Sequence, residues 1–529
     1  VTDNYLVAAL YKGDVAVKFT NANNVVENNT PVAPVDVVAD TVWIGNNATV
    51  TVTVANTTGT VTVAVNGKEQ TVDLVDGVAT VEVSSEDLAI GENAVTVTYN
   101  GPEYAPVTVD DVLFVADGVV TQDTYMYYFN QEDAGKFFDY IPEGATLDFQ
   151  GSIINPDQNV KIWFNVNKPV NIISSTHNAY VDLNTTAGSL MGENPGNRFT
   201  VGYGGSGSNI SDINFHNTQL WIANTHHVVL DNISNVIEDQ RVGSGVGATS
   251  VRENCTYVTV KNSYFYTRNN GGSSSLVMAW ADYCTFDNNT IVVEGNVGNM
   301  IYLTTFNVNV PSGVVANVHN NITNNYIYSP NNAAAICWAL VLSGSDNLIE
   351  NNTIEYKGVG ITTQYGSSAS PNNTYRNNVM LNGSSMSVLP DSILYNNSIS
   401  GALTVGARSV AYNNTVGGKL NVAQGAYAYD NIVAGGLGTT GTDSIIENNT
   451  IVGAVTINKV GTTFIGNNVT GTVTVSANNN VIKGNNITTT GNYAVDLGAK
   501  TGNNVTDNYL VAALYKGDVA VKFTNANNV

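Results

Sequence analysis

The hexapeptide IENNTI, Ile349 to Ile354, is one copy of a short template: an apolar residue, any residue, Asn or Asp, two further residues, then an apolar residue. The template returns as ISDINF around Asp212, VKNSYF around Asn262, FDNNTI around Asn288, ITNNYI around Asn324, YRNNVM around Asn377 and LYNNSI around Asn396. It continues through Asn351, Asn413, Asp430, Asn448, Asn467, Asn485 and Asp507, and its fit is weaker at Asn232, Asn467 and Asn485. Its copies lie 26 to 36 residues apart in the middle of the chain and 17 to 19 apart between Asn377 and Asn485. A period near 20 with β-branched flanks and no helical segment between copies predicts a β-solenoid, one short coil per copy, stacked through parallel strands. Coil length varies and no strict hexapeptide repeat is present, which favours right-handed winding. The recurrent Asn or Asp tolerates the left-handed turn conformation, and an amide there can hydrogen-bond to its counterpart in the next coil. Asp212, Asn262, Asn288, Asn324, Asn351, Asn377, Asn396, Asn413, Asp430, Asn448, Asn467, Asn485 and Asp507 are therefore expected to form a structural ladder.

Composition points the same way. Charged residues make up only 12% of the chain, and Asn, Thr, Val and Gly are abundant, which suits strands and turns rather than helices. The 43 acidic and 20 basic residues give a formal charge of −23, which repels phosphate backbones and anionic lipid surfaces. Nucleic acid is excluded as a partner on that ground. No run approaches the roughly 18 to 20 apolar residues that cross a bilayer, so no membrane contact is expected of this segment.

Upstream of the coils the texture changes. ATVTVTVAN, GTVTVAVNGKEQTVDLV, GVATVEVS and NAVTVTYNG alternate apolar and polar residues between turns, and Asn66 and Gly67 read as a type I′ hairpin. Residues 31–115 are expected to be an immunoglobulin-like β-sandwich without the usual core disulfide. In NQEDAGKFFDYI, Asn130 is a helix cap, Glu132 and Asp133 fill a first turn, and Phe137, Phe138, Tyr140 and Ile141 form an apolar face. That segment is expected to close the open end of a β-helix over residues 116–504. Residues 1–25 and 505–529 are identical in sequence. The expectation drawn from this is a tandem array with a 504-residue period: residues 1–30 end the preceding unit's β-helix, residues 505–529 begin the next unit, and copies join end to end.

The sandwich stretch VNGKEQ…LVDGVATVEV, together with LNTTAGSLMGENPGNRF, DQRVGSGVGATSVREN, NNGGSSSLVMAWADYCTFDNNTI and GNVGNMIYLTTFNVNVPSGV, resembles the large adhesin-like surface proteins of methanogenic archaea. Those proteins combine immunoglobulin-like repeats with pectate-lyase-like parallel β-helices. The resemblance implies a cell-surface, extracellular location, a structural or adhesive role as a stalk or filament, and glycans of other cells as partners. It implies no catalytic residues and no cofactor.

The alternative is a polysaccharide-binding or polysaccharide-degrading β-helix. Glycoside hydrolysis needs two facing carboxylates, and lyase chemistry needs acids gathered around Ca²⁺ beside a basic residue. Asp212, Asp231, Glu238, Asp239, Arg241, Arg252, Glu253, Asp282 and Asp287 are concentrated in the first wide coils, and solvated loop charge accounts for them equally well. Tyr264, Tyr266, Trp280, Tyr302, Tyr326, Tyr328, Trp338 and Tyr356 fall in the longer coils, where aromatic rings can stack on sugars or fill the core. His226 and His227, read as strand neighbours, point to opposite faces and so do not chelate one metal. GSGVG, residues 243–247, lacks the Lys and hydroxyl of a phosphate loop and reads as a turn.

Cys255, Cys284 and Cys337 are too few for a zinc cluster or a disulfide scaffold. Burial is one reading of them, and a Cys255–Cys284 bridge between neighbouring coils is the other. Among the glycosylation sequons, Asn47, Asn56, Asn184 and Asn382 are expected to be accessible, whereas Asn288, Asn351 and Asn448, within the ladder, are expected to face inward.

Overall fold

The computed structural model describes residues 5–6, 30–55, 57–129, 139–155, 162–184, 198–238, 249–268, 274–294, 299–305, 308–330, 338–363, 371–514, 520–525 and 527–528. The chain divides into two compact units, one comprising Val1–Asn130 with Phe137–Asp148, the other Gln131–Lys136 with Phe149–Val529.

In the first unit, strands Val35–Ala39, Ala48–Val54 and Val78–Val83 form one antiparallel sheet. Val42–Trp43, Val107–Ala116, Gly91–Asn100, Thr60–Val65 and Lys68–Asp73 form a second, in that order. Strands Ala48–Val54, Thr60–Val65, Val78–Val83 and Gly91–Asn100 alternate, and their inward set is mostly valine: Val50, Val52, Val54, Val61, Val63, Val81, Val95 and Val97 are buried. At roughly 2 kcal/mol for each buried aliphatic side chain, this core needs no cysteine. Asn66 and Gly67 both take positive φ, 49° and 82°, as a two-residue type I′ hairpin requires. One polar group sits inside: Asn93 is fully buried, accepting from Asn66 Nδ2 and Ala89 N and donating to the carbonyls of Ala89, Gly91 and Leu113. The expected capping helix begins in residues 130–138, which lie outside the described residues, and residues 139–141 are not helical. The short helix observed is Tyr125–Tyr128.

From Phe149 onward the chain is a parallel β-solenoid. Each coil contributes one strand to each of three parallel sheets, for example Ile445–Glu447 to sheet 1, Thr450–Val452 to sheet 2 and Val455–Ile457 to sheet 3; sheets 2 and 3 hold 16 strands each. The interior is a stack of like residues. Phe164 lies over Phe199 at 4.7 Å, and Phe199 meets Phe215 of the neighbouring sheet edge to face at 5.2 Å in the early coils, and Ile446, Phe464 and Ile482 fill one column, fully buried, in the late ones. Residues Asn504–Thr506, Tyr509–Ala512 and Val521–Phe523 continue all three sheets, the third with a register shift between Asp496 and Gly498. Their sequence twin at the start of the chain is described only at Tyr5–Leu6, which pairs in parallel with Thr30–Pro31. The rest of residues 1–25 lies outside the described residues.

The ladder is real, but most of its rungs lie one residue further on than the sequence reading placed them. Asp212, Asn262, Asn288, Asn324, Asn351, Asn377, Asn396, Asn413, Asp430, Asn448 and Asp507 take the left-handed turn between sheets 1 and 2, with φ between 53° and 61°. The turn directs them outward and sends the next residue into the core. The buried ladder therefore runs through Asn289, Asn325, Asn352, Asn378, Asn397, Asn414, Asn431, Asn449, Asn467 and Asn485, and ends on the half-buried Asn508. Asn431 shows the rule: its backbone N–H and its Nδ2 both donate to Asn449 Oδ1 at 2.9 Å, and Nδ2 also donates to the carbonyl of Ala411. Asn467 and Asn485 occupy buried rungs because Gly466 and Gly484 take the left-handed place before them, at φ 68° and 65°. A second, shorter ladder enters sheet 1 at Asn320, Asn347 and Asn373 and resumes at Asn480 and Asn503.

Replacing Asn449 by Leu removes the acceptor for two donors of Asn431 and leaves Asn467 Oδ1 short of its partners. At about 1–3 kcal/mol for each buried group left unpaired, denaturant unfolding is expected to show a loss of about 2–5 kcal/mol. Asn448→Gly, at the exposed left-handed position, is expected to cost less than about 1 kcal/mol. Equal losses in the two variants would place the ladder elsewhere.

Candidate glycan-binding face

The outer face of sheet 2 gathers polar and aromatic side chains in its first coils. Strands Ala179–Asp182, Ile213–His216, Ser234–Ile237, Tyr264–Arg268 and Thr290–Glu294 pair in parallel. Their alternation presents two outward rows, Tyr180, Asn214, Ser234, Tyr264, Thr290 and Asp182, His216, Val236, Tyr266, Val292. Residues in a row are one coil apart, about 4.8 Å, and the rows are two residues apart along the strand, about 6.6 Å.

The second row and the residues beside it hold a chain of polar contacts. His216 Nδ1 lies 2.9 Å from Asp182 Oδ2, and Nε2 lies 3.5 Å from Glu238 Oε2. Tyr180 stacks on the imidazole at 5.4 Å. Tyr266 donates to Glu294 Oε2 at 3.0 Å, and burial, together with that bond to the carboxylate, pushes its phenol up to about 12. The first row borders a cavity of about 280 Å³, lined by His177, Asp212, Asn214, Asn232, Ile233, Ser234, Asn262 and Tyr264. Asp212 accepts from Asn232 Nδ2 at 2.7 Å and pairs with His177 at 3.3 Å; Ser234 donates to Asn214 at 2.8 Å. Tyr264 is 39% exposed, and no ring stacks on it among the described residues.

The acids singled out from sequence do not converge. Asp212 edges the cavity and Glu238 caps His216, but Asp231 is taken by Lys261 and Asn262, and Asp287 by Thr323 and Asn324. Asp282 accepts from the backbone N–H of Val318, and its half-buried position raises its pKa. Arg252 sits on sheet 3, 3% exposed, 4.6 Å from the Trp221 ring with Glu253 at 3.2 Å; Arg198 covers the other contact of that ring at 4.3 Å. Burial lowers both guanidinium pKa values, that of Arg198 to about 10. Asp239, Arg241 and residues 243–247 lie outside the described residues. The sequence reading missed Tyr180, Asp182, His216 and Glu294. Their signal is the i, i+2 alternation of outward residues within each strand, legible once the strand register is known.

Of the aromatic residues, Tyr264, Tyr266, Tyr326 and Tyr328 face outward on sheet 2 and Tyr356 is buried. Tyr302 lies in sheet 3, and Trp280 takes a left-handed turn with φ 58°. The Trp338 side chain is outside the description. Other aromatics stack on one another, His227, Tyr257, Tyr283 and His319 at 4.8 to 5.2 Å and Tyr395, Tyr412 and Tyr429 at 5.0 Å. Their ring faces are thereby covered and offer edges rather than platforms for sugars.

Two further expectations are corrected, on the histidines and on the ladder sequons, and of the two readings of Cys255 and Cys284 burial is the one observed. His226 and His227 do not point apart: His227 has φ 56°, which breaks strand alternation and brings the two Nδ1 atoms to 3.1 Å. Cys255 and Cys284 are both free thiols, because the register sets Cys255 beside Ala281 and leaves Cys284 three residues further along the next coil. Asn288, Asn351 and Asn448 are exposed, since the buried Asn is the middle residue of each sequon. Asn47 is exposed and holds Glu82 and the Ser85 N–H, Asn382 is exposed with its amide near Glu355, and Asn184 is half-buried in a left-handed turn. Asn56 and Cys337 lie outside the described residues. Among the described residues no group of three or more His, Cys, Asp or Glu side chains is placed to hold a metal, calcium included, and no helix is long and apolar enough to cross a membrane.

No family model matches the chain, and no curated protein matches it. Among solved structures, the catalytic domain of a GH87 alpha-1,3-glucanase in complex with tetrasaccharides is similar over 93% of this chain and 91% of that chain, at 13% identity and a TM-score of 0.29. The expected stalk or filament function is withdrawn in favour of its alternative, a polysaccharide-binding or polysaccharide-degrading β-helix. A likeness of this size carries no argument for an activity, and the functional reading rests on the geometry of the face itself.

Burial raises both described thiols, Cys255 to about 11 and Cys284 further. Because the thiolate is the reactive form, both are expected to resist alkylation at pH 8 in the folded protein and to label fully once denatured. Mass spectrometry of the two peptides reads this, and native labelling at the rate of an exposed thiol would contradict the burial.

Proposed function

We propose that the protein binds a neutral polysaccharide on the outer face of sheet 2. The observation that carries this reading is the cavity lined by the partly exposed Tyr264 together with amide, hydroxyl and carboxylate groups. Sugar recognition combines these elements: an aromatic plane against the apolar face of a pyranose, and planar polar groups for its hydroxyls. A formal charge of −23 disfavours acidic glycans, which leaves uncharged polymers as the class. The outward rows on successive coils supply a surface along which consecutive sugar units can lie.

Binding fits this face better than cleavage does. Hydrolysis needs two carboxylates with a glycosidic bond, and in the inverting case a water, held between them. Asp182 and Glu238 face each other, but the His216 imidazole already fills the gap and holds both. Glu294 is likewise engaged by Tyr266.

Titration of the whole chain against a panel of neutral glycans tests the proposal. Tyr264→Ala is expected to weaken binding about tenfold, the effect of removing a stacking contact of about 1.4 kcal/mol, while circular dichroism stays unchanged. Unchanged affinity in that variant would remove the face from consideration. Release of reducing sugar that is abolished by Glu238→Gln would instead make the face hydrolytic.

A further inference from the structure

The turn from sheet 3 into sheet 1 carries the adjacent pair His226 and His227, which the glycan-binding reading does not use. Both are exposed, and their Nδ1 atoms lie 3.1 Å apart with the ring planes at 87°. The backbone fixes them from both sides: the His226 N–H donates to Ser206 Oγ at 3.2 Å, its carbonyl accepts from Gly207 N at 2.9 Å, and the His227 N–H donates to Thr256 O at 3.1 Å. The His227 ring is also held flat against Tyr257, 5.0 Å between centroids.

We propose that His226 and His227 chelate a single divalent transition-metal ion through their two Nδ1 atoms. With metal–nitrogen bonds of about 2.05 Å, a 3.1 Å separation subtends an angle of about 98° at the ion, between the right angle of square-planar or octahedral sites and the tetrahedral value. The His227 ring is held against Tyr257 before the ion arrives, so little of its rotamer freedom is lost on binding. The rings hold each other in the free protein by one Nδ1–H facing the other ring's lone pair; the metal takes the place of that proton, which passes by way of solvent to Nε2 of the same ring, so both ligands are neutral imidazoles. Two imidazoles and no thiolate favour Cu²⁺, then Ni²⁺ and Zn²⁺. The remaining positions are filled by water, which makes this a site with open coordination places. The acidic chain attracts cations generally, but the selectivity for nitrogen-seeking metals comes from this pair.

Isothermal titration of the full chain with Cu²⁺ or Ni²⁺, in a non-coordinating buffer at about pH 7.5, tests the assignment. One equivalent is expected to bind, with Ca²⁺ and Mg²⁺ failing to compete. His226→Ala and His227→Phe are each expected to weaken binding at least tenfold, and the second keeps an aromatic ring over Tyr257, so a loss there reports the nitrogen and not the packing. Wild-type affinity in both variants would overturn the proposal. So would an absence of binding up to about 1 mM metal, or a loss produced by His216→Gln while both of these variants still bind.

Discussion

At every coil of the solenoid the chain must turn out of sheet 1 and pass back through an apolar interior, where an unpaired amide costs about 1–3 kcal/mol. The buried asparagines meet this constraint. Asn449 takes two hydrogen bonds from Asn431 on one side and gives two to Asn467 on the other, while its remaining amide hydrogen reaches the carbonyl of Ala428. Each rung satisfies its own turn only if the next coil is present and in register. Removing one rung leaves donors on one neighbour and acceptors on the other, so the ladder fixes strand register as well as stability. A one-residue slip would turn the buried columns outward, and the amide stack opposes that slip at every coil between Asn289 and Asn508.

This dependence explains what the sequence disclosed and what it concealed. The solenoid was legible because the turn needs two adjacent residues of a restricted kind, one that tolerates positive φ and one that can pair both ways along the stack. In IENNTI both are Asn, so the motif is conspicuous while the division of labour between Asn351 and Asn352 is hidden. Coils with Asp or Gly in the outer place, DN at Asp430 and Asp507 and GNN at Gly466 and Gly484, separate the two roles in the sequence itself. The Gly coils are the poorer fits to a template that asks for Asn or Asp in the outer place. The sandwich was legible for a simpler reason: its valines alternate with threonines and charged residues, and a period of two has one structural meaning.

The candidate face was much less legible. Tyr180, His216, Glu238, Tyr264 and Glu294 are scattered over more than a hundred residues, and only the pairing of strands with unequal loops between them brings them together. Acid-rich sequence proved a poor guide, because carboxylates at the ends of sheet 1, such as Asp231 and Asp287, serve the turn amides beside them. Adjacent histidines misled for a local reason: alternation holds within a strand, and the left-handed φ of His227 cancels it.

The same repeat that builds the core also orders the surface. A residue at a given place in one coil lies about 4.8 Å from its counterpart in the next, so like side chains form lines whether or not they are used. Where the lines are tyrosines or histidines, they stack on themselves, as at Tyr395, Tyr412 and Tyr429, and close their faces to a ligand. A ring remains open only where its neighbours in the row are small and polar. Tyr264 meets that condition, because Ser234 precedes it and Thr290 follows it in the row. The opening beside Tyr264 is thus a break in the repeat of the outward residues, made while the inward repeat continues beneath it.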